Sequence, residues 1–564
     1  MNGKTEFSAK NRRGILQSMA EEPLELLVIG GGITGAGIAL DAATRGIRVG
    51  VLEKNDFASG TSSRSTKLIH GGLRYLKQGE IKLVQEVGRE RAILYKNAPH
   101  LVIPAPMLLP VYKGGTYGYF ASSIGLYIYD WLAGVARKER RKMLGRKETI
   151  EREPLLKKEG LKGGGLYYEY RTDDARLTLD IMKTAVQRGA RIVNYAEAVK
   201  FIYENGKAVG VEVHDRIGGL RQMIRAKHIV NAAGPWVDQV RSLDGSLKGK
   251  RLFLTKGVHL VVDYHRLPVR QAAYFDTPDG RMVFVIPRGN ITYVGTTDTA
   301  YSESIDQPRT TLEDRDYLIR AVNAMFPAIK LTPGDIKSHW AGLRPLIYEE
   351  GKGPSELSRK DEIFVSDSKL ITIAGGKLTG FRKMAEKVVD LVAEELKRET
   401  GRSYPACTTD QITITGGEKR DGVTFAEWKR EMLQSGISQG IDGQTMQEWV
   451  DTYGSNALRI LNYLPESRKQ NLPAQLQWLH AQLTYSVQEE MTVTAADFLR
   501  LRSGWSYFHL AKAEKYRNIV EKLMNDMLQL DPMQKDMQLD MLNQLFRNIH
   551  ELPSTQKKLQ TVSS

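Results

Sequence analysis

The stretch LELLVIGGGITGAGIALDAATRGIRVGVLEKNDF, residues 24–57, decides the fold of the chain. The apolar run LELLVI is followed by Gly30, Gly32 and Gly35 in the spacing G-x-G-x-x-G, and then by a mainly apolar stretch rich in alanine. This order predicts a strand, a tight glycine turn and a helix, followed by a second strand, RVGVL. Such a unit is typical of a doubly wound parallel sheet.

The glycine turn also predicts a phosphate site. Gly30 permits the tight turn, Gly32 lets the backbone approach a pyrophosphate, and Gly35 lets the helix pack closely on the strand. The helix N-terminus offers amide N–H groups and a positive dipole end to phosphate. Glu53 ends the second strand, 18 positions beyond Gly35, where a carboxylate accepts hydrogen bonds from ribose hydroxyls and repels a 2′-phosphate. The residues therefore predict an adenine dinucleotide, either FAD or NAD.

Length and composition limit the remaining choices. The 564 residues exceed what one core usually supports, so two or three domains are expected. A net charge of +15 favours nucleic acid, an anionic membrane surface or anionic substrates as partners, without choosing among them. The single cysteine, Cys407, excludes an intrachain disulfide and a cysteine-based metal site, and no metal is expected. Residues 1–25 contain no apolar core of signal-peptide length, so a cytoplasmic protein is expected.

One segment bears on the membrane question. Residues 118–136, GYFASSIGLYIYDWLAGVA, are mostly apolar, but Asp130 and several tyrosines and serines interrupt them. A buried or interfacial helix is favoured over a spanning one. Residues 137–162 follow with 11 Lys/Arg and 5 Asp/Glu, which suits anionic lipid headgroups as well as an ordinary solvated face.

The chain divides into a β-rich part and a helical part. Strand-like runs lie at 190–203, 208–214, 227–234, 257–264, 281–288, 291–298 and 370–376. From about Thr424 the apolar residues follow helical spacing, and their aromatic residues and methionines are expected in the core. Residues 553–564 are expected to be a disordered tail.

Three further places bear on the choice between FAD and NAD. One is HIVNAAGPWVDQV, residues 228–240, which predicts a strand, then Ala233-Gly234-Pro235, then a helix. Residues 59–76, SGTSSRSTKLIHGGLRYL, supply hydroxyls and amides where a larger cofactor would continue past its pyrophosphate. Residues 370–392 end a strand at Gly375-Gly376 and begin a helix near Thr379, whose N-terminus would stabilise negative charge on a reduced flavin.

With the motifs VNAAGPWVD (230–238), GLRPL (342–346), GGKLTGFRKMAE (375–386) and TVTAADFLRLRSGW (492–505), the chain resembles FAD-dependent oxidoreductases of the D-amino-acid oxidase type. More narrowly, it resembles the aerobic, flavin-linked glycerol-3-phosphate dehydrogenases. The resemblance implies an α/β fold: a Rossmann-like FAD-binding domain interleaved with an antiparallel-sheet substrate domain, plus an all-α C-terminal domain. The expected bounds are an N-terminal extension at 1–23, an FAD-binding domain at 24–90, 165–250 and 350–400, a substrate domain at 91–164 and 251–349, a helical domain at 410–550 and a tail at 551–564.

The resemblance also implies site residues. The cofactor-binding set comprises Gly30, Gly31, Gly32, Thr34, Gly35 and Glu53 for the ADP half, Thr61, Ser62, Lys67, Leu68 and His70 for the ribityl chain and flavin ring, Ala233, Gly234 and Trp236 in the cradle, and Gly376, Leu378 and Thr379 at the flavin's far edge.

The implied reaction is oxidation of sn-glycerol 3-phosphate at C2 to dihydroxyacetone phosphate. A phosphomonoester needs fixed positive charge, and the substrate-site cations are Arg344, Arg74 and Lys377, with Arg344 first for phosphate. His259 and His70 are the candidate bases for the hydroxyl proton, because a histidine titrates near working pH. Tyr75 is expected to add a hydrogen bond to the substrate.

The family passes its electrons to a membrane quinone, which implies peripheral association with the inner face of the cell membrane. Two alternatives share the fold: an oxidase that uses O2, and an amine or amino-acid oxidase whose arginine holds a carboxylate. Nucleic acid is not expected as a partner, because the basic residues are spread along the chain. A homodimer is left open.

Overall fold

The computed structural model describes residues 7–70, 81–115, 141–349 and 361–554. The strands are β1 (Leu24–Ile29), β2 (Val49–Leu52), β3 (Leu68–Ile69), β4 (Ile103–Tyr112), β5 (Lys142–Gly145), β6 (Leu161–Arg171), β7 (Arg191–Val193), β8 (Ala196–Glu204), β9 (Lys207–Asp215), β10 (Arg221–Asn231), β11 (Lys250–Asp263), β12 (Ala272–Asp276), β13 (Met282–Arg288), β14 (Ile291–Gly295), β15 (Thr299–Ala300), β16 (Ile336–Glu349), β17 (Glu362–Val365) and β18 (Ile371–Ala374). The helices are α1 (Arg12–Glu21), α2 (Ile33–Thr44), α3 (Ile81–Asn97), α4 (Arg146–Arg152), α5 (Asp174–Val186), α6 (Val237–Leu243), α7 (Leu312–Met325), α8 (Phe381–Thr400), α9 (Phe425–Ser438), α10 (Gly443–Tyr453), α11 (Ala457–Leu461), α12 (Leu464–Lys469), α13 (Gln477–Glu489), α14 (Ala495–Asp497), α15 (Trp505–Phe508), α16 (Leu510–Leu528) and α17 (Pro532–His550).

The first sheet has the strand order β17–β18–β10–β1–β2–β7. Strands β18, β10, β1, β2 and β7 are parallel, and β17 is antiparallel at the edge. Strand β1 is buried along its whole length, and α2 packs against it and against α5 and α8. Burial on both faces of a parallel sheet explains why LELLVI is apolar except for Glu25, whose carboxylate accepts hydrogen bonds from the amide of Arg48 and the hydroxyl of Tyr404. The predicted α/β fold with a Rossmann-like sheet is confirmed.

The second sheet has the order β15–β11–β14–β13–β12–β4–β6–β3, with β16 paired to β11 and β5 to β6. Strand β6 pairs with β4 from Ile103 to Tyr112 and crosses the expected domain boundary at 164/165. A continuous hydrogen-bonded ladder cannot be divided between two domains, so the whole of β6 belongs to this sheet. Strand β3, expected in the FAD-binding segment 24–90, joins the same sheet through β6.

The described part of the N-terminal extension packs into the core of the first sheet. Helix α1 buries Ile15, Leu16 and Met19 in the core of the first sheet. Arg12 forms a buried ion pair with Asp215 at 2.9 Å. These contacts give the extension a structural role that its sequence did not indicate.

The strand-like run 190–203 is two strands, because the chain turns at Asn194 and Tyr195. Tyr195 has a φ of 52° and donates a hydrogen bond to Asp497 in the C-terminal domain. The Asn194 side chain donates to Asp56 and to the carbonyl of Met491. Contacts with a distant part of the chain interrupt this strand.

The helical C-terminal part begins as predicted. Thr424 caps α9 by accepting a hydrogen bond from the amide of Glu427. The tail is bonded at its start, since the carbonyls of Glu551 and Pro553 accept hydrogen bonds from Arg309 and from the amide of Leu312. Within the described ranges no helix is both long and apolar enough to cross a lipid bilayer, and the apolar segment 118–136 lies outside those ranges.

Candidate active site

A cavity of about 1210 Å³ lies where the two sheets meet. Its wall includes most of the residues expected to bind cofactor or substrate: Gly30, Gly32, Thr34, Glu53, Thr61, Ser62, Leu68, His70, Ala233, Gly234, Trp236, His259, Arg344, Gly376, Lys377, Leu378 and Thr379. Segments that are far apart in the sequence therefore converge on one site. Arg74 and Tyr75 lie outside the described residues.

Two glycines of the turn lie so close to other backbone atoms that no side chain would fit at either position. Gly30 has a φ of 120°, and a Cβ there would lie 2.5 Å from the carbonyl oxygen of Ala232. A Cβ on Gly35 would lie 2.0 Å from the carbonyl oxygen of Gly30, so helix α2 can approach the turn only because this residue is glycine. Gly31 and Gly35 support the turn from behind the cavity wall.

Glu53 is fixed beside the turn by two backbone amides. Its Oε2 accepts from Gly31 N at 2.7 Å and its Oε1 from Asn55 N at 2.8 Å. Burial raises the pKa of this carboxyl, and the two amides oppose that shift. The two hydrogen bonds therefore fix the orientation of the Glu53 carboxylate just after β2, where the sequence predicts the ribose contact.

The segment 59–70 links both sheets to the cavity. Ser62 Oγ accepts from the amide of Ile33 at 2.9 Å and caps α2, and Thr61 donates to the carbonyl of Leu343 at 2.7 Å. Lys67 differs from expectation, since it is almost completely buried and its Nζ binds Asp174 Oδ1 at 2.5 Å. An ammonium committed to a buried carboxylate does not face the cavity, so Lys67 supports the wall from behind.

A pair of hydrogen bonds between His70 and Thr379 joins two segments of the cavity wall. Thr379 Oγ1 accepts from His70 N and donates to His70 O, each at 3.1 Å. Trp236 is fixed nearby, because its Nε1 donates to Asp306 at 2.8 Å and Lys54 lies over its ring. These contacts hold the expected flavin-side segments together.

Arg344 is a half-buried cation in the cavity wall. Its guanidinium donates to Thr296 Oγ1 at 2.9 Å, to the carbonyl of Thr297 at 3.2 Å and to Asp298 at 3.1 Å. A Cβ on Gly257 would lie 2.5 Å from the Nη2 of Arg344, so this glycine leaves the room that the guanidinium occupies. Arg344 is thus held in one orientation in the wall of the cavity, which Lys377 also lines.

Both candidate histidines are neutral. Burial, with Lys377 and Arg91 nearby, lowers the pKa of His70 to about 3. Burial, with Arg344 and Lys67 nearby, lowers the pKa of His259 well below its usual value. A neutral imidazole has a nitrogen lone pair that can accept a proton, but a pKa lowered this far makes each ring a weaker base than the histidine titrating near working pH that the sequence predicted.

The ring of His259 is held by a hydrogen-bond contact, a stacked indole and a close backbone neighbour. Its Nε2 lies 3.0 Å from Thr66 Oγ1, and its ring stacks on Trp340 at 4.9 Å with an interplanar angle of 12°. A Cβ on Gly295 would lie 2.1 Å from His259 Cδ2, so glycine is needed opposite it in β14. Its buried Nδ1 has no hydrogen-bond partner among the residues that the structure describes.

The sequence did not single out several residues that shape this site. Arg64 lines the cavity, and burial lowers its pKa, while the hydroxyl of Tyr507 from the C-terminal domain interacts with it and opposes that shift. Trp340 and the Thr296–Asp298 turn also hold the candidate residues in place. Arg64 could have been predicted as a site residue because it lies within the motif TSSRSTK, whereas no motif pointed to Trp340.

These features fit FAD, because the glycine turn, the fixed carboxylate and the hydroxyl-rich segment line one cavity larger than typical drug-sized pockets. The family described as FAD-dependent oxidoreductase matches residues 25–381, and the C-terminal domain of alpha-glycerophosphate oxidase matches residues 407–535.

Individual proteins agree with the family matches. The chain is 52% identical to the aerobic glycerol-3-phosphate dehydrogenase of Bacillus subtilis (strain 168), over 96% of this chain and 98% of that protein. It is 51% identical to the protein of the same name from Staphylococcus aureus (strain USA300), over 94% and 95%. The crystal structure of the glycerol-3-phosphate dehydrogenase from Bacillus halodurans complexed with FAD superposes with a TM-score of 0.83 at 46% identity, covering 96% of this chain and 98% of that one. The chain therefore belongs to the family of FAD-dependent aerobic glycerol-3-phosphate dehydrogenases.

Proposed function

We propose that this protein oxidises sn-glycerol 3-phosphate at C2 to dihydroxyacetone phosphate. The observation that carries the proposal is the meeting, in one cavity, of the dinucleotide turn, the predicted cations Arg344 and Lys377, and the two candidate histidines. When bound, FAD supplies the acceptor for the hydride that leaves C2.

Arg344 and Lys377 supply the positive charge for the phosphate group. The guanidinium of Arg344 is a planar fork that binds phosphate oxygens in pairs, and its contacts with Thr296 and Asp298 fix the direction of that fork. Lys377 adds a second positive charge at the same cavity. Arg74 and Tyr75 are proposed substrate contacts on the strength of the family resemblance.

His259 is the first choice for the base that takes the hydroxyl proton, and His70 is the second. His259 lies in the cavity wall near Arg344, whose charge contributes to its low pKa. A proton transferred to a ring that is neutral in the resting protein requires no prior deprotonation. Nε2 contacts Thr66 Oγ1 at 3.0 Å beside the cavity wall, whereas Nδ1 is buried and has no protein partner in the described chain.

We propose that the electrons then pass to a membrane quinone, on the inner face of the cell membrane. The basic segment supports this proposal: Lys142, Arg146, Lys147, Arg152, Lys157, Lys158 and Lys162 are all exposed. Lys142, Lys147 and Lys157 pair with Glu148, Glu151 and Glu159 at 3.6, 3.9 and 3.9 Å, so the attraction to anionic headgroups comes from the excess of exposed lysines and arginines in this segment.

Reduction of the flavin in the absence of oxygen tests the proposed substrate. Purified FAD-loaded protein is mixed with glycerol 3-phosphate, and the visible flavin absorbance is followed. Rapid bleaching is expected, whereas glycine, proline or other amines should leave the colour unchanged. A flavin that is not bleached by glycerol 3-phosphate would overturn the proposed substrate. Reoxidation by a quinone analogue faster than by O2 is expected, and the reverse order would favour an oxidase.

A further inference from the structure

Two aromatic residues of the C-terminal domain belong to the core of the substrate sheet. Tyr507 and Phe508, at the end of α15, are buried in the same apolar cluster as Trp340 of β16 and Tyr293 of β14. The hydroxyl of Ser338 in β16 donates to the carbonyl of Tyr507 at 2.5 Å. The helical domain therefore completes the wall behind the active-site strands.

Trp340 connects these residues to the candidate base. Its ring lies 5.4 Å from that of Tyr507 and 6.2 Å from that of Phe508, measured between centroids. Trp340 also stacks on His259, its register partner in β11. Movement of Tyr507 would therefore be transmitted to the imidazole through one rigid indole.

The same rings also hold the second contact of His259. Lys67 Nζ lies over the rings of Trp340, Tyr507 and Phe508 at 5.4, 5.3 and 5.6 Å, and its charge is paired with Asp174. The residue before Lys67 is Thr66, whose Oγ1 contacts His259 Nε2. Because the buried Lys67 ammonium is held by three aromatic rings and by Asp174, the backbone around the neighbouring Thr66 is restricted in its movement.

We propose that Tyr507, assisted by Phe508, is a positioning residue for His259, so that the C-terminal helical domain takes part in the reaction by fixing the base. This inference rests on the proposed function, in which His259 takes the hydroxyl proton. It gives the helical domain a task at the active site in addition to its part in the fold.

The first experiment compares Y507L with Y507F and W449L in the FAD-loaded full-length protein. Anaerobic stopped flow gives the limiting rate of flavin reduction by glycerol 3-phosphate, the substrate concentration at half-maximal rate, and the pH dependence of both. Y507L removes the ring and is expected to lower the limiting rate at least about tenfold, to change the half-saturating concentration by less than about threefold, and to move the acidic limb of the pH profile.

The other two variants separate positioning from general stability. Y507F keeps the ring on Trp340 and removes only the hydroxyl that interacts with Arg64, so it is expected to keep the acidic limb of the pH profile, and any loss of limiting rate in Y507F measures the Arg64 contact rather than the positioning of His259. Trp449 is a buried aromatic residue of the same domain, packed in a different cluster with Tyr453 and Tyr485. W449L is expected to lower stability and to leave the limiting rate of the folded protein unchanged. If Y507L does not fold, F508L replaces it, with a smaller effect expected in the same direction.

A double-mutant cycle with H259N completes the test. If Tyr507 acts through His259, Y507L should slow the H259N enzyme by less than about twofold, because the group that it positions is gone. Additive effects, or a Y507L rate and pH profile equal to wild type, would overturn the inference while leaving the proposed function intact. A wild type that glycerol 3-phosphate does not reduce would overturn the proposed function, and the inference with it.

Discussion

Arg344 was predicted from its motif, and the structure adds the means by which it is held. Thr296, Thr297 and Asp298 accept its hydrogen bonds, and Gly257 leaves the space for its guanidinium. R344K is expected to raise the KM for glycerol 3-phosphate at least about tenfold, because an ammonium cannot bind phosphate as a fork, and tenfold corresponds to about 1.4 kcal/mol. Steady-state kinetics provide the check. R221K, at an exposed ion pair, is the matched control and should keep the wild-type KM.

His70 should make the stability of the protein depend on pH. The unfolded chain binds a proton on this residue below about pH 6.5, whereas the folded chain does not until about pH 3. The contribution of His70 to stability is therefore complete above pH 6.5 and is lost as the pH falls towards 3. H70N is expected to reduce the loss of unfolding free energy between pH 7.5 and pH 5 by about 2 kcal/mol.

Denaturant unfolding at the two pH values measures this difference. H265N changes an exposed histidine and should leave the pH dependence of the wild type unaltered. An H70N protein that loses as much stability as wild type would show that His70 is not held neutral by the fold.

At the scale of elements, the glycine turn is the part that the sequence predicted most completely. Other elements were hidden by their composition. Strand β4 contains Pro104, Pro106 and Pro110, and β6 contains three consecutive glycines, Gly163–Gly165, yet the two strands pair along most of their length. Proline and glycine normally indicate turns, and only the pairing partner shows that these residues extend a strand.

The turn itself yields a prediction. G35A places a methyl group 2.0 Å from the carbonyl oxygen of Gly30, and neither backbone segment can move without displacing β1 or α2. We expect a loss of unfolding free energy of more than about 2 kcal/mol and purified protein with little FAD. The flavin-to-protein ratio and the Tm measure both effects. In G443A the nearest atom lies 3.8 Å away, so this variant should keep its flavin and its Tm.

At the scale of the whole molecule, buried charges join the helical domain to the first domain. Arg502 pairs with Asp56 at 2.5 Å, and Arg176 with Glu490 at 2.5 Å, all four side chains being almost completely inaccessible. R502Q leaves Asp56 buried without its cation and is expected to lower the unfolding free energy by about 3–5 kcal/mol. Chemical denaturation measures this loss.

An exposed pair is the control for R502Q. Arg420 and Glu431 form an ion pair at the surface, and R420Q should change stability by less than about 0.5 kcal/mol. Equal effects of the two substitutions would show that the buried pair does not hold the domains together.

The sequence by itself determined the dinucleotide turn, the carboxylate after it and the family, because these depend on local spacing and on short motifs. Most of the site residues that it predicted line the cavity, whereas most of the other lining residues carried no signal. Only the tertiary structure decided that Lys67 faces Asp174, that Trp340 lies between His259 and Tyr507, and that β6 belongs to the second sheet. Each of these depends on contacts between residues that are far apart in the chain. The partners of a buried charge or ring are fixed by packing, which the local pattern of residues does not contain.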